Sequence, residues 1–137
     1  KGEKIMEIIL NKNILKYYEQ LKQVFENDIK YLPARVAFII IKNKLLLNQL
    51  SEEIYDMKNQ IIKKYGTLKD ENEEIYNIPS ELLQSAQKEL DDLLEVEQNI
   101  HILKLKFSDI ENLEFTFNQM EAIMFMIEED NNEDQVE

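Results

Sequence analysis

No cysteine occurs in the 137 residues, which removes disulfides, thiol nucleophiles and cysteine-based zinc sites together. Histidine occurs once, at His101, so a Ser-His-Asp or Cys-His relay has only that residue to be built on. A di-iron bundle needs two Glu-x-x-His motifs and is one histidine short. Glycine occurs only as Gly2 and Gly66, and no glycine-rich loop exists to cradle phosphate. Arg35 is the sole arginine, a poor basis for holding nucleic acid directly. The greasiest stretch runs into Lys42 and Lys44 well short of the roughly 18 apolar residues that span a bilayer. The opening KGEKIMEIIL carries no small-residue cleavage signal, and the lack of cysteine fits a reducing cytosol. These absences predict a chain that is not an enzyme, takes no cofactor or metal and engages no membrane.

What is present is apolar and acidic. Hydrophobic residues make up 44% and charged residues 32%, the balance of a helix-rich globular domain. One domain is expected over 1–128, followed by a disordered acidic tail over 129–137. Charge divides unevenly within the overall −12. Residues 1–66 hold twelve Lys and Arg against eight Asp and Glu, a net +4, whereas residues 67–137 hold four against twenty, a net −16. Such a half repels nucleic acid and attracts a protein partner with a basic surface.

The spacing predicts an α+β fold, mostly α. Ile-rich residues 5–10 read as a strand. Ile14, Tyr17, Tyr18, Leu21, Val24 and Phe25 then recur at steps of three and four, predicting a helix from about Asn13 to Asn27. Pro33 suits the first turn of a helix and would damage a central strand, so AFIII at 37–41 reads as helical. Val36, Ile40, Asn43, Leu47, Leu50, Ile54, Met57 and Ile61 form a seam over nearly four heptads, with Phe38, Ile39 and Ile41 widening the buried stripe. Gly66 should cap this helix after Tyr65. Leu83, Ala86, Leu90 and Leu93 in a helix over about 80–97 supply the partner, and TLKDENEEIYN is the polar tip of a long antiparallel hairpin over about 33–97. Asn43 should fix its register, and the seam also leaves homo-oligomerisation through the hairpin open. The hairpin projects from a small body of two or three short strands and two further helices. Within that body, 99–107 reads as a strand and 113–115 as a short extended piece. Ser108–Glu111 and Thr116–Gln119 read as capping boxes, the second opening a helix through 120–129.

Carboxylates are the only abundant chemistry. Asp70, Asn72, Glu74 and Glu81 stand at calcium-loop positions, but Ile75 occupies the place that needs glycine and Pro79 falls inside, so a solvated tip is the expectation. His101, between Ile100 and Ile102, reads as an ordinary exposed sheet residue. Met120, Met124, Phe125 and Met126 read as core. Acids of the third helix have two readings, a solvated face or part of a continuous negative strip. The candidate partner-binding residues of that strip are Asp70, Glu71, Glu73, Glu74, Glu89, Asp92 and Glu95.

LPARVAFIIIKN, the long helix ending in KKYG, the DENEE tip and IHILKLKFSDIENLEFTFNQMEAIMFMIEE occur in an order that resembles a family of small proteins encoded by tailed phages and prophages of Gram-positive bacteria, a domain of unknown function. The likeness covers about residues 5–128 and brings no catalytic residues. It implies a phage accessory protein in the host cytoplasm. The acidic balance then suggests an inhibitor of a nucleic-acid-handling defence complex, such as a CRISPR effector. The alternative is a virion structural or assembly factor with the hairpin as its docking arm.

Overall fold

Thirty-two consecutive residues without proline or glycine, apolar at every third or fourth position, form helix α2 (Ala34–Tyr65), about 48 Å of rod. The computed structural model describes residues 6–25, 29, 31–70, 72 and 75–128. The expected disordered tail and the tip acids Glu71, Glu73 and Glu74 lie outside them. Ahead of α2 come strand β1 (Glu7–Leu10) and helix α1 (Asn11–Val24). After it come β2 (Thr67–Asp70), β3 (Ile75–Asn77), helix α3 (Ser80–Leu94) and β4 (Glu97–Ile100). Two short helices, α4 (Phe107–Ile110) and α5 (Phe117–Ile123), and a 3-10 turn (Met124–Met126) complete a mostly helical α+β fold.

Pro33 precedes α2 with φ −56° and ψ 149°, the extended entry that its ring favours. Gly66 ends the helix, but not through a left-handed cap. Its φ is −101° and its ψ 160°, while its amide still donates to the Ile62 carbonyl. Glycine is needed there for space, since a Cβ would stand 2.9 Å from the Ile62 oxygen and 3.1 Å from Tyr76 Cβ. The flanks of the polar tip are strands where a loop was expected. β2 and β3 form an antiparallel hairpin, Thr67 opposite Asn77 and Asp70 opposite Ile75, with a bulge between Leu68 and Asp70.

α2 packs on α1 as one helical hairpin and on α3 as another. The seam holds at Val36, Ile40, Asn43, Leu47, Ile54 and Ile61, all buried, and Ile39 and Ser51 join them. It fails at Met57, which is exposed, and Leu50 is only half-buried. On α3 only Ala86 is fully buried, and Leu83 faces solvent at 53%. The far half of α2 is thus more thinly covered than its spacing promised. One core cluster joins Ile9, Ile14, Leu21, Ile40, Leu47 and Ile54 to Ile102, Leu105, Ile123 and Met126, and Ile61 and Ala86 stand apart from it.

β1 pairs antiparallel with β4, Glu7 opposite Ile100 and Leu10 opposite Glu97. Two asparagines tie the elements together. Asn11 donates to the Leu93 carbonyl at 2.8 Å and accepts from Gln98 at 2.7 Å, which joins the start of α1 to the α3–β4 corner. Asn43 donates to the Leu103 carbonyl at 2.9 Å and accepts from the Leu103 amide at 3.0 Å. Asn43 therefore fixes α2 against the segment after β4 and not against α3, because a bidentate amide finds a complete partner in an unpaired strand-like backbone.

The expected strand over 99–107 is shorter. β4 stops at Ile100, and only Leu105 pairs again, in a parallel bridge to Ile127. Residues 113–115 form no strand. The first capping device sits two residues earlier than Ser108, where the Asp109 carboxylate accepts from the Lys106 amide at 2.9 Å. The second is as expected. Thr116 Oγ1 accepts from the Gln119 amide at 3.1 Å and Gln119 Oε1 from the Thr116 amide at 2.9 Å. Its helix stops at Ile123 instead of running to 129, since the 3-10 turn redirects the chain toward Leu105. Met126 is in the core, Met120 packs against it, Phe125 stacks on Tyr17 at 4.4 Å, and Met124 is exposed.

Candidate protein-binding surface

α3 is an amphipathic helix whose apolar stripe faces α2, so its acids fall on the sides and outside. Glu81, Asp91, Asp92 and Glu95 are exposed and Glu89 is half-buried. Of the predicted strip acids, the four among the described residues, Asp70, Glu89, Asp92 and Glu95, are each engaged within the chain. Glu89 accepts from Lys64 Nζ at 2.8 Å and from the Tyr65 hydroxyl, joining the middle of α3 to the end of α2. Lys88 reaches Asp92 at 3.1 Å one turn away, and Lys12 reaches Glu95 at 2.8 Å from α1. Asp70 lies in β2, half-buried, where one carboxylate oxygen accepts from the Asn72 amide at 3.0 Å and fixes the turn.

These contacts set the local electrostatics. Hydrogen bonds from Lys64 first, and from Tyr65 second, hold the Glu89 carboxyl below its ordinary value. The same carboxylate raises the Tyr65 hydroxyl and the Lys64 ammonium above theirs. The pairs through Lys12 and Lys88 are exposed on both sides, with each side chain at least half accessible. Such pairs are worth roughly 0–1 kcal/mol, so the lysines are readily exchanged for cations of a partner.

The structure places Glu89 and Asp92 on α3 with Glu95 as the residue capping its end, and Asp70 beyond the end of α2, in the β-hairpin. Within 70–81, Asp70 ends β2, Ile75–Asn77 form β3, and Ser80 and Glu81 are already helical. Among the described residues, no three His, Asp or Glu side chains converge as metal ligands, and no helix is long and apolar enough to cross a membrane. His101 differs from expectation. It lies past the end of β4, half-buried, with Nδ1 enclosed and lacking a hydrogen-bond partner among the described residues.

One exposed feature escaped the periodicity. Phe38 is 58% accessible, Ile41 40% and Leu45 58%, on the outward face of α2's first half. Their apolar character reads as burial in a sequence window, because spacing locates the centre of a buried stripe but not its width. No family model, curated protein or solved structure matches this chain.

Proposed function

We propose that the chain is a non-catalytic, phage-encoded accessory protein of the host cytoplasm that docks on a basic protein surface through the acids of α3. The observation that supports this is their placement: in a segment of strongly negative balance, Glu81, Asp91, Asp92 and Glu95 all stand on the accessible side of one helix. Carboxylates held on one exposed helix face, with Lys88 among them, would compete with a phosphate backbone for the same cationic channel, as an inhibitor of a nucleic-acid-handling defence complex requires. A second reading, a virion structural or assembly factor, draws support from the exposed Phe38–Leu45 ridge.

Affinity purification from infected host cells, with identification of what is retained, tests the reading. Binding should weaken as salt rises, because exposed charges are screened over about 8 to 10 Å at physiological ionic strength. Reversing Glu81, Asp91 and Asp92 to lysine should weaken it at least tenfold while leaving Glu89, and hence the α2–α3 tie, intact. Salt-independent capture that survives the triple reversal would overturn the acidic-surface reading in favour of apolar docking.

A further inference from the structure

The first half of α2 carries a second seam, on the side away from the core. Ala34, Phe38, Ile41, Leu45 and Asn48 succeed one another at steps of four and three, the alternation by which one helix meets another along its length. The first four are exposed, Phe38 and Leu45 each at 58%. A groove of about 260 Å3 runs beside Ile41 and Leu45 toward Phe25, and another of about 340 Å3 lies beside Leu45 toward Leu103. A ridge with grooves beside it is the relief into which a further helix packs. Glu52 takes the next seam place and ends the apolar stripe, so Ala34 to Leu45 offer about 18 Å of contact.

The charges lie where a partner helix would read them. Residues directly after Ala34 and Ile41, and directly before Phe38 and Leu45, flank such a seam, and their charge selects the partner. Three of those four are Arg35, Lys42 and Lys44, the only charged residues between 33 and 51, and the fourth is Ala37. Lys42 Nζ lies 6.0 Å from the centre of the Phe38 ring, which sets positive charge against the ridge itself. Arg35 reaches Asp109 only at 3.5 Å, with its side chain 61% accessible, and stays available to a partner. No acid lines either groove.

We infer that this face of α2 docks an amphipathic helix of another protein, one whose apolar stripe is flanked by Asp and Glu. The surface is separate from the acids of α3 and goes beyond the function proposed above. A second copy is a poor occupant, since pairing this face with itself would set Arg35, Lys42 and Lys44 against their own counterparts. A broad anionic surface is a poor one too. Outside 33–51 the chain holds 13 Lys and Arg against 28 Asp and Glu, a net −15 that a membrane or nucleic acid would meet along with the three cations. A single helix touches the seam alone.

The test uses a helical peptide of three heptads with Leu at both seam positions and Glu at both flanking positions, and its twin with Lys in place of Glu. Repulsion between like flanks keeps each peptide from pairing with itself. Fluorescence anisotropy with the full chain should show saturable binding of the Glu peptide, tighter than that of its twin by about tenfold or more and weaker as salt rises. Leu45→Glu, at an exposed position, should abolish that binding while the circular dichroism spectrum is unchanged. Lys42→Glu combined with Lys44→Glu should turn the preference toward the Lys peptide, a reversal that loss of folding would not produce. No saturable binding of the Glu peptide, equal binding of both, or binding that survives Leu45→Glu would overturn the inference. So would self-association in sedimentation, or retention on phosphatidylglycerol vesicles, that Leu45→Glu removes. The seam would then belong to a second copy or to a membrane.

Discussion

The two halves of α2 share one helix and one seam yet differ in what holds them. The first half sends Val36, Ile39, Ile40, Asn43 and Leu47 into the main core, where α1 and the segment after β4 close around them. The second half buries Ile54 and Ile61, exposes Tyr55 and Met57, and meets α3 through Ala86 and the Lys64–Tyr65–Glu89 cluster. Equal periodicity thus yields unequal burial. An apolar seam position contributes only in proportion to what covers it.

The sharpest way to break this contrast is a charge at each end. Leu47→Asp puts an unpaired carboxylate at a site with no solvent access and should cost more than about 4 kcal/mol, unfolding the whole domain. Ile61→Asp sits at 7% exposure outside the main cluster and should loosen only the far end. Hydrogen exchange read along α2 checks this. Equal protection loss over both halves in Ile61→Asp would show a single cooperative unit.

Asn43→Leu comes next. It keeps the branched outline in a larger side chain but leaves the Leu103 amide and carbonyl without partners, which should cost about 2–3 kcal/mol in a denaturant titration. A neutral result would mean that water replaces the amide.

Glu89→Gln should have the smallest effect, and one with a pH signature. The Glu89 carboxyl is lowered from 4.5, so its contribution is present above that value and is lost as pH falls through the folded value. The Tyr65 hydroxyl is raised from 10.0, so its contribution is present below that value and is lost as pH rises through the folded one. Thermal melts of wild type and variant should therefore differ across the neutral range and converge at both extremes. A gap that does not change with pH would remove the cluster from the account of the far half.

Much of this was legible because helices announce themselves. Pro33, the three-four spacing of α2, and the reciprocal Thr116–Gln119 cap are local signals with local causes, and each formed where its residues stand. The β2–β3 hairpin was not legible, since neither strand has a buried face and exposed residues leave no alternation to read. The partner of Asn43 was hidden for another reason. A buried amide in a seam shows that something must satisfy it, and sixty residues of chain separate it from what does. The strip acids show the same limit from the side of charge. Composition counted them, but only the fold shows that Glu89 serves α2 while Asp92 and Glu95 remain exposed.

The Asn11 tie also sets an order of events in synthesis. Its carbonyl partner on Leu93 arrives 82 residues later, and Ile100, which pairs with Glu7, later still. At roughly 5–20 residues per second, the 93 residues from Glu7 to Ile100 keep β1 waiting about 5–19 s as an unpaired strand with Ile9 uncovered. α1 and α2 need no such wait, being adjacent in sequence and stabilised by each other. Nascent chains should therefore pass through a helical-hairpin intermediate, with closure of the β1–β4 sheet as the late and slow step.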